Sequence, residues 1–374
     1  VTDTVITVTG SPAKTAQTYT NGLVVTQDGV AVSINIDYSG TPAFNEASGS
    51  LGSFNEQTSV GTLDAGTDVG TAHAVTTGTL PSGTSIDSST GAITGTLPAN
   101  TNTSQPPESG GGDITTTFTV TATDAENQTS TRQFSIKNFQ GDPLWTSTEA
   151  VMTGGSTGTN EAYNSNAINL AASGSNVYTQ TGTKKFGTNA IYSNGTDTSN
   201  NIDITLPSSF NSYTNLCLEG WFYLETNQNN TSYPGGTQAY ANQAFFAVGD
   251  TYMSLSIDPS GRVGYYYYDT GGSPQYPGQF DTSGNISTGS WNHIAFQFTS
   301  SLVKYWKNGT YISSISRGTL HVDAPLQIRL LTSKQGEARG WKGYIDDIRI
   351  TSGERYTGTS NFTAPTEEIR KFAT

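Results

Sequence analysis

Apolar and polar residues alternate along most of the chain, and the spacing expected of amphipathic helices is nearly absent. TTTFTVTATD (Thr115 to Asp124) sets Phe118, Val120 and Ala122 against threonines, and TRQFSIKN (Thr131 to Asn138) does the same with Phe134 and Ile136. A period of two sends successive side chains to opposite faces, so these segments predict half-buried strands. Further strands are predicted at LCLEGWFYLE (Leu216 to Glu225), TYMSLSID (Thr251 to Asp258), GRVGYYYYD (Gly261 to Asp269), WNHIAFQF (Trp291 to Phe298), LVKYWKNGTYISS (Leu302 to Ser314), LQIRLL (Leu326 to Leu331) and GYIDDIRIT (Gly343 to Thr351). Turns are predicted at Asn21-Gly22, Asp28-Gly29 and Asn308-Gly309, because the tightest hairpins need positive φ at both central residues. Trp221 and Trp291 are expected in the core.

The strands fall into three groups, and the fold class is all-β. Residues 1–43 read as a small N-terminal β unit, either a complete domain or the tail of one. Residues 44–141 hold about seven short strands with a turn roughly every ten residues, the pattern of an Ig-like β-sandwich. Within them NTSQPPESGGGD (Asn102 to Asp113) has no strand character and reads as a flexible loop between strands. FQGDPLW (Phe139 to Trp145) reads as a linker. Residues 142–374 carry longer antiparallel strands, as in a jelly roll. The pieces 1–141 and 142–374 are each expected to fold alone.

Composition narrows the function. Of 374 residues, 33% are hydrophobic and 13% charged, yet 10% are aromatic, which is too rich for a disordered chain. No apolar stretch approaches the length of a spanning helix, so membrane insertion is not expected. The net charge of −13, with 17 basic residues among 30 acids, argues against nucleic acid as a partner. Cys217 is the single cysteine, which excludes a disulfide framework. Val1 is neither an initiator Met nor the start of a signal peptide, so processing or missing residues before it are expected.

Two family resemblances follow from longer motifs. LPSGTSIDSSTGAITGTLP (Leu80 to Pro98) resembles the signature of Ig-like domains found in bacterial surface proteins and phage virion proteins, with Leu80, Ile86 and Ile93 facing the core. KKFGTNAIYSNGTD followed by LCLEGWFYL, then WNHIAFQFTSSLVKYWKNGTYI, then GYIDDIRITSGERYTGTSNFTAPT resemble, in order, the motifs of laminin G-like, concanavalin A-like lectin domains. The last segment, Gly343 to Thr366, resembles the tail form found in virion proteins of tailed phages. The resemblances imply a non-enzymatic virion structural protein, a fibre, spike or capsid-surface component that displays a carbohydrate-binding domain at the virion surface. Its implied partners are other virion proteins, a host cell-surface glycan and further copies of itself in a symmetric homo-oligomer such as a trimer. The alternative is a secreted or cell-surface bacterial adhesin or polysaccharide-binding protein.

Candidate chemistry is sparse. Tyr265, Tyr266, Tyr267 and Tyr268 form a run in which two rings must face outward, and Tyr276 follows in the next loop. Such rings could stack on sugars or be covered by another subunit or loop. Asp346 and Asp347 are expected on opposite faces of one strand. One braces the sheet edge through backbone amides, or one joins Asp197 in a structural calcium site. Glu219 and Glu225 share a strand but lack the paired placement of glycosidase carboxylates, so Glu219 reads as a structural partner. His73, His293 and His321 are scattered, with His293 read as a hydrogen-bonded strand residue. Cys217 reads as a small buried thiol.

Overall fold

The computed structural model describes residues 17–27, 30–38, 40–68, 72–154, 160–164, 169–173, 177–195, 201–206, 214–227, 243–248, 253–320, 327–331 and 340–373. They divide into two compact units, Val1–Asn100 with Asp113–Phe139, and Thr101–Gly112 with Gln140–Thr374. No helix among the described residues is long and apolar enough to cross a membrane.

The first unit opens with an antiparallel pair, β1 (Gln17–Gln27) and β2 (Val30–Tyr38). Asn21-Gly22 does not turn the chain as expected; β1 runs through it, and the pairing slips between Tyr19 and Leu23. The Asp28-Gly29 pair lies outside the described residues. There follow β3 (Gly49–Asn55), β4 (Leu63–Asp64), β5 (Ala72–Gly78), β6 (Thr84–Ile86), β7 (Ala92–Gly95), β8 (Ile114–Thr123) and β9 (Thr129–Phe139). One sheet runs β3-β9-β8-β5 and the other β4-β7-β6. Phe118, Val120, Ala122, Phe134 and Ile136 all point into one buried cluster with Ile93, as the alternation requires. Asp87 Oδ1 accepts from the Ser89 and Thr90 amides, and Gly91 takes φ +72°, closing the turn that sets Ile86 opposite Ile93.

The second unit is the jelly roll. Its strands are β10 (Thr148–Met152), β11 (Asn169–Ser173), β12 (Val177–Gln180), β13 (Ala190–Asn194), β14 (Asn201–Thr205), β15 (Leu216–Leu224), β16 (Gln243–Val248), β17 (Met253–Ile257), β18 (Val263–Tyr268), β19 (Pro274–Gln279), β20 (Trp291–Phe298), β21 (Leu302–Lys307), β22 (Thr310–Ser316), β23 (Gln327–Leu330) and β24 (Lys342–Ser352). An eight-stranded sheet runs β12-β13-β24-β15-β20-β21-β22, with β10 also paired to β24, and a seven-stranded sheet runs β11-β14-β23-β16-β17-β18-β19. Asn308 and Gly309 both have positive φ in the β21–β22 hairpin, as predicted. Both sheets contribute to one core. At its centre Phe222 meets the rings of Phe245, Phe246 and Trp341 at centroid distances of 4.9, 5.5 and 5.6 Å.

The outer face of the eight-stranded sheet is half sealed, and charge seals it. Arg349 on β24 is 1% exposed. It donates to Glu219 Oε1 at 2.6 Å, Glu108 Oε1 at 2.8 Å and Asp142 Oδ2 at 3.2 Å. Arg355 binds both oxygens of Asp142, at 3.0 and 2.9 Å, and the Tyr356 hydroxyl donates to Glu219 Oε2. Glu108 lies on a one-turn 3₁₀ helix, Pro107–Ser109, within the segment expected to be a flexible loop. That segment is instead part of the second unit, and Glu108 is fully buried there. Burial alone would raise the Glu219 carboxyl, but Arg349, the His293 hydrogen bond and Arg355 more than reverse it, leaving it far below the usual carboxylate range. Asp142 is lowered in the same way, with Arg355 and Arg349 overcoming burial.

Trp221 is buried at 6% exposure, on the outer face against Phe186 and His293. Trp291 is half-buried and not in the core, because its parity on β20 is opposite to that of Ile294, Phe296 and Phe298. Phe222→Ala should therefore cost about 3–5 kcal/mol of unfolding free energy, and Trp291→Ala less than half as much, measured by urea denaturation of the full chain. Glu219→Gln should cost a further distinct amount, about 3–5 kcal/mol, because it leaves buried arginine charge uncompensated. The carboxyls of Glu219 and Asp142 are depressed on folding, so their stabilisation is complete above the unfolded carboxylate pKa near about 4 and is lost as pH falls below it. Melting temperatures recorded from neutral pH down to pH 3 should fall in that acid window, with a shallower fall in Glu219→Gln.

Candidate functional site

The tyrosine run divides by parity. Tyr265 is fully buried and its hydroxyl donates to the Arg317 carbonyl at 3.0 Å, while Tyr267, 9% exposed, stacks on it within the core. Neither can be a surface contact, which corrects the wider expectation for all four rings. Tyr266 and Tyr268 face outward, half-buried, and Tyr276 on β19 is 41% exposed. Tyr266 lies 5.5 Å from Tyr268 and 5.3 Å from Tyr276, so the three rings make one patch on the seven-stranded sheet.

A longer aromatic surface occupies the eight-stranded sheet, and no single segment of sequence announces it. Strand register sets Tyr178 opposite Tyr192, Tyr192 opposite Tyr344, Tyr344 opposite Tyr223, and Tyr223 opposite Trp291. The successive ring centroids are 5.4, 4.8, 5.6 and 5.7 Å apart. One ring on each of β12, β13, β24, β15 and β20 thus forms a row across five neighbouring strands. Tyr178 is 43% exposed and the other four are half-buried. Their neighbours Ile191, Phe222, Ile294 and Ile345 are fully buried in the core, so the row lies on the outer face. Tilted and edge-to-face packing between cross-strand aromatics holds the rings in place. The Tyr192 hydroxyl donates to Glu225 Oε2 at 3.1 Å; partial burial and that carboxylate push the phenol up to about 12, so it stays a donor. The sequence signal was present but scattered: in four places an outward Tyr adjoins an inward core residue, as in Val177-Tyr178, Ile191-Tyr192, Phe222-Tyr223 and Tyr344-Ile345.

Asp346 and Asp347 do not obey simple alternation. Glu219 pairs with Arg349 and Trp221 with Asp346, so Gly220 alone opposes two residues of β24. Asp347 takes φ +48° at this bulge, and the two aspartates come to line the same cavity. The expectation of opposite faces fails for that reason. A Cβ at Gly220 would fall 2.3 Å from the Ile348 Cδ1 atom, so a larger residue here displaces that core side chain. Asp346 accepts from the amides of Gly154, Asp347, Lys185 and Phe186 at 2.9–3.2 Å. Asp347 Oδ2 accepts from the Ile369 amide at 3.1 Å. Asp197 and His321 lie outside the described residues.

Glu219, the carboxylate weighed for catalysis, is 2% exposed and committed to Arg349, Tyr356 and His293. Glu225 is exposed, on the far side of the strand end, beside Tyr192. The two do not flank a common cleft. His73 is buried and its Nε2 meets Thr67 Oγ1 at 3.0 Å. Cys217 is fully buried, and burial holds its thiol well above the usual range.

Comparison with known proteins follows the division of the chain. Residues 33–139 match the family described as "Putative Ig domain", and residues 194–356 match the concanavalin A-like lectin/glucanases superfamily, in its laminin G form. No curated protein matches the chain in sequence. Among solved structures it is similar to domain 4 of AbnA, a GH43 extracellular arabinanase from Geobacillus stearothermophilus, in complex with arabinotriose. The two share 20% identity over 55% of this chain and 92% of that one, with a TM-score of 0.40. It is also similar to the ligand-binding domain of botulinum neurotoxin serotype D in complex with N-acetylneuraminic acid (15% identity, 56% of this chain and 48% of that one, TM-score 0.42). A third similar structure is the binding domain of Paraclostridial Mosquitocidal Protein 1 (15%, 56% and 50%, TM-score 0.43). The chain spans about half the length of each of these two binding domains. The chain carries an Ig-like domain followed by a domain of the concanavalin A-like lectin/glucanases superfamily.

Proposed function

We propose that the jelly roll is a non-enzymatic glycan-binding module and that the chain is a surface component of a tailed-phage virion. The observation that carries the glycan reading is the row Tyr178, Tyr192, Tyr344, Tyr223 and Trp291. Aromatic faces cover the apolar C–H faces of sugar rings, and phenolic hydroxyls and Glu225 supply hydrogen-bond partners at the rim. The row advances by one ring per strand, about 4.8 Å, which is close to the length of one pyranose unit. It therefore suits a stretch of linked sugars lying across the strands better than a single terminal residue. The patch of Tyr266, Tyr268 and Tyr276 is the second candidate contact, on the other sheet.

The virion reading is supported by the phage-type tail motif of Gly343 to Thr366 and by the pairing of the two domain types. It also fits the energetics of a shallow site. A single such site with millimolar affinity contributes only about −4 kcal/mol, and presentation of many copies on one particle raises avidity on the order of 100-fold or more. A homo-oligomer on the virion surface, meeting host glycans, is the arrangement that this favours.

Glycan-array screening of the full chain, followed by titration with the best oligosaccharide, tests the module. Tyr223→Ala with Tyr344→Ala should weaken binding at least tenfold while leaving the circular dichroism spectrum unchanged. Retained binding in that variant, with loss in Tyr266→Ala and Tyr276→Ala, would move the site to the seven-stranded sheet. Gold-labelled antibody should mark the surface of purified phage particles encoding the chain; particles that stay unlabelled would leave the adhesin as the better reading.

A further inference from the structure

The aromatic row has a cation on each side of it. On one side, Trp221 stands two residues from Tyr223 on the same face of β15, and the Lys185 ammonium lies 3.8 Å from the centre of its ring and 5.2 Å from that of Phe186. On the other side, Lys342 stands two residues from Tyr344 on the same face of β24. The two strands are antiparallel with Tyr344 opposite Tyr223, so Lys342 and Trp221 fall on opposite sides of the row.

Both lysines are half-buried, and neither ammonium has a carboxylate or hydrogen-bond partner among the described residues. In a chain of 30 acids and 17 bases that sets them apart. Lys137, Lys304 and Lys371, by contrast, find an acid at 2.9, 3.2 and 2.8 Å. The neighbouring acids are engaged elsewhere. Asp346 accepts from four backbone amides, and Glu225 accepts from the Tyr192 hydroxyl. Attraction to the indole face holds Lys185 in place. Partial burial lowers its pKa, a cost that an approaching anion removes.

An extended chain of equatorially 1,4-linked sugars is a ribbon in which each residue is turned over relative to the last, so its C6 groups emerge on alternate edges. Laid along the row, such a ribbon advances roughly one sugar per strand, about 4.8 Å, and its two edges face the two sides of the row. Neighbouring strands β24 and β15 carry their cations on opposite sides, as neighbouring sugars carry C6. We infer, on the glycan reading of the row, that its ligand is an acidic polysaccharide, a β-1,4-linked chain of uronic acids whose successive carboxylates meet Lys342 and Lys185. A uronate carboxylate is attached directly to the sugar ring, so it stays close to the ring edge that faces a flanking lysine. The net charge of −13 repels an acidic chain at long range, but at physiological salt charges beyond about 8 Å are largely screened, and the local pairs decide.

The full chain is titrated calorimetrically with two hexasaccharides, β-1,4-linked mannuronate and β-1,4-linked mannose, which differ only in the carboxylate or hydroxymethyl group on each ring. At about 50 mM salt the acidic hexamer should bind about tenfold tighter, since each exposed ion pair supplies up to about a fivefold gain. That advantage should shrink at about 1 M salt, where screening acts within about 3 Å. Lys185→Gln and Lys342→Gln should each weaken the acidic hexamer about threefold and leave the neutral one unchanged, while Lys185→Arg keeps the preference. Equal affinity for the two hexamers overturns the inference, as does a preference that survives both glutamine substitutions or tighter binding of an oligothymidylate. A chain that binds other glycans on the array but neither hexamer overturns the acidic reading alone. A chain that binds no glycan, or whose binding is untouched by Tyr223→Ala with Tyr344→Ala, overturns the platform with it.

Discussion

A buried guanidinium cannot be left alone, and in the second unit Arg349 draws its partners from every part of that unit. Glu219 comes from the neighbouring strand, Asp142 from just before β10, and Glu108 from a segment that interrupts the first unit. Arg355 adds a second guanidinium on Asp142, and the Arg370 main-chain amide donates to Glu108 Oε1 at 2.8 Å, so two buried arginines face three buried acids. Removing ions of this size from water costs several kcal/mol each, so the cluster is tolerable only where opposite charges meet. That need for partners explains why the chain lays the Pro107–Ser109 turn, the Arg355–Phe362 stretch and the Ile369–Arg370 tail over the outer face of a sheet that could have stayed open. It also decides the fate of Glu219. Its oxygens are spoken for by Arg349, Tyr356 and His293, so it has no freedom to exchange a proton with a substrate.

Strand β24 orders the rest. Read from Tyr344 to Arg349, it passes through the aromatic row, the brace at Asp346, the cavity at Asp347 and the charge cluster at Arg349. The bulge opposite Gly220 makes this sequence possible. Without the extra residue, strict alternation would place Asp347 and Arg349 in the core beside Ile345, or Asp346 there beside Ile348 and Ile350, and each is a charge the core could not hold. One glycine and one left-handed aspartate therefore let Ile345, Ile348 and Ile350 stay inward while the polar residues around them stay outward.

Whatever depended on local periodicity could be read from the chain itself. Phe118, Val120, Ala122, Phe134 and Ile136 fell on the predicted face, and Asn308-Gly309 turned where hairpin chemistry demanded. What depended on register could not. Tyr178, Tyr192, Tyr223, Trp291 and Tyr344 are scattered over more than 160 positions and meet only because five strands align. Glu108 sits in a Pro- and Gly-rich stretch whose composition signals a loop, and no local pattern reveals that a distant arginine will bury it. Asp346 and Asp347 misled for the opposite reason, since alternation was legible and a bulge broke it. Asn21-Gly22 carries turn chemistry but is accommodated as a slip in pairing.

The outer face of the eight-stranded sheet thus has two physical regimes. Where charges occupy it, covering segments are needed to complete their partners, and the face is closed. Where Tyr178, Tyr192, Tyr344, Tyr223 and Trp291 occupy it, the rings pack on one another in tilted and edge-to-face pairs and their hydroxyls can reach water, so no covering is required. A row of this kind is stable while half exposed, which a row of leucines would not be without inviting aggregation. Rigid rings also lose little freedom when a ligand settles on them, so the binding surface exists before the ligand arrives. The same property that lets the sheet leave this end uncovered is what makes it a usable platform. The aromatic row is therefore where the unit can afford contact with another molecule without disturbing the buried charges that hold its other half closed.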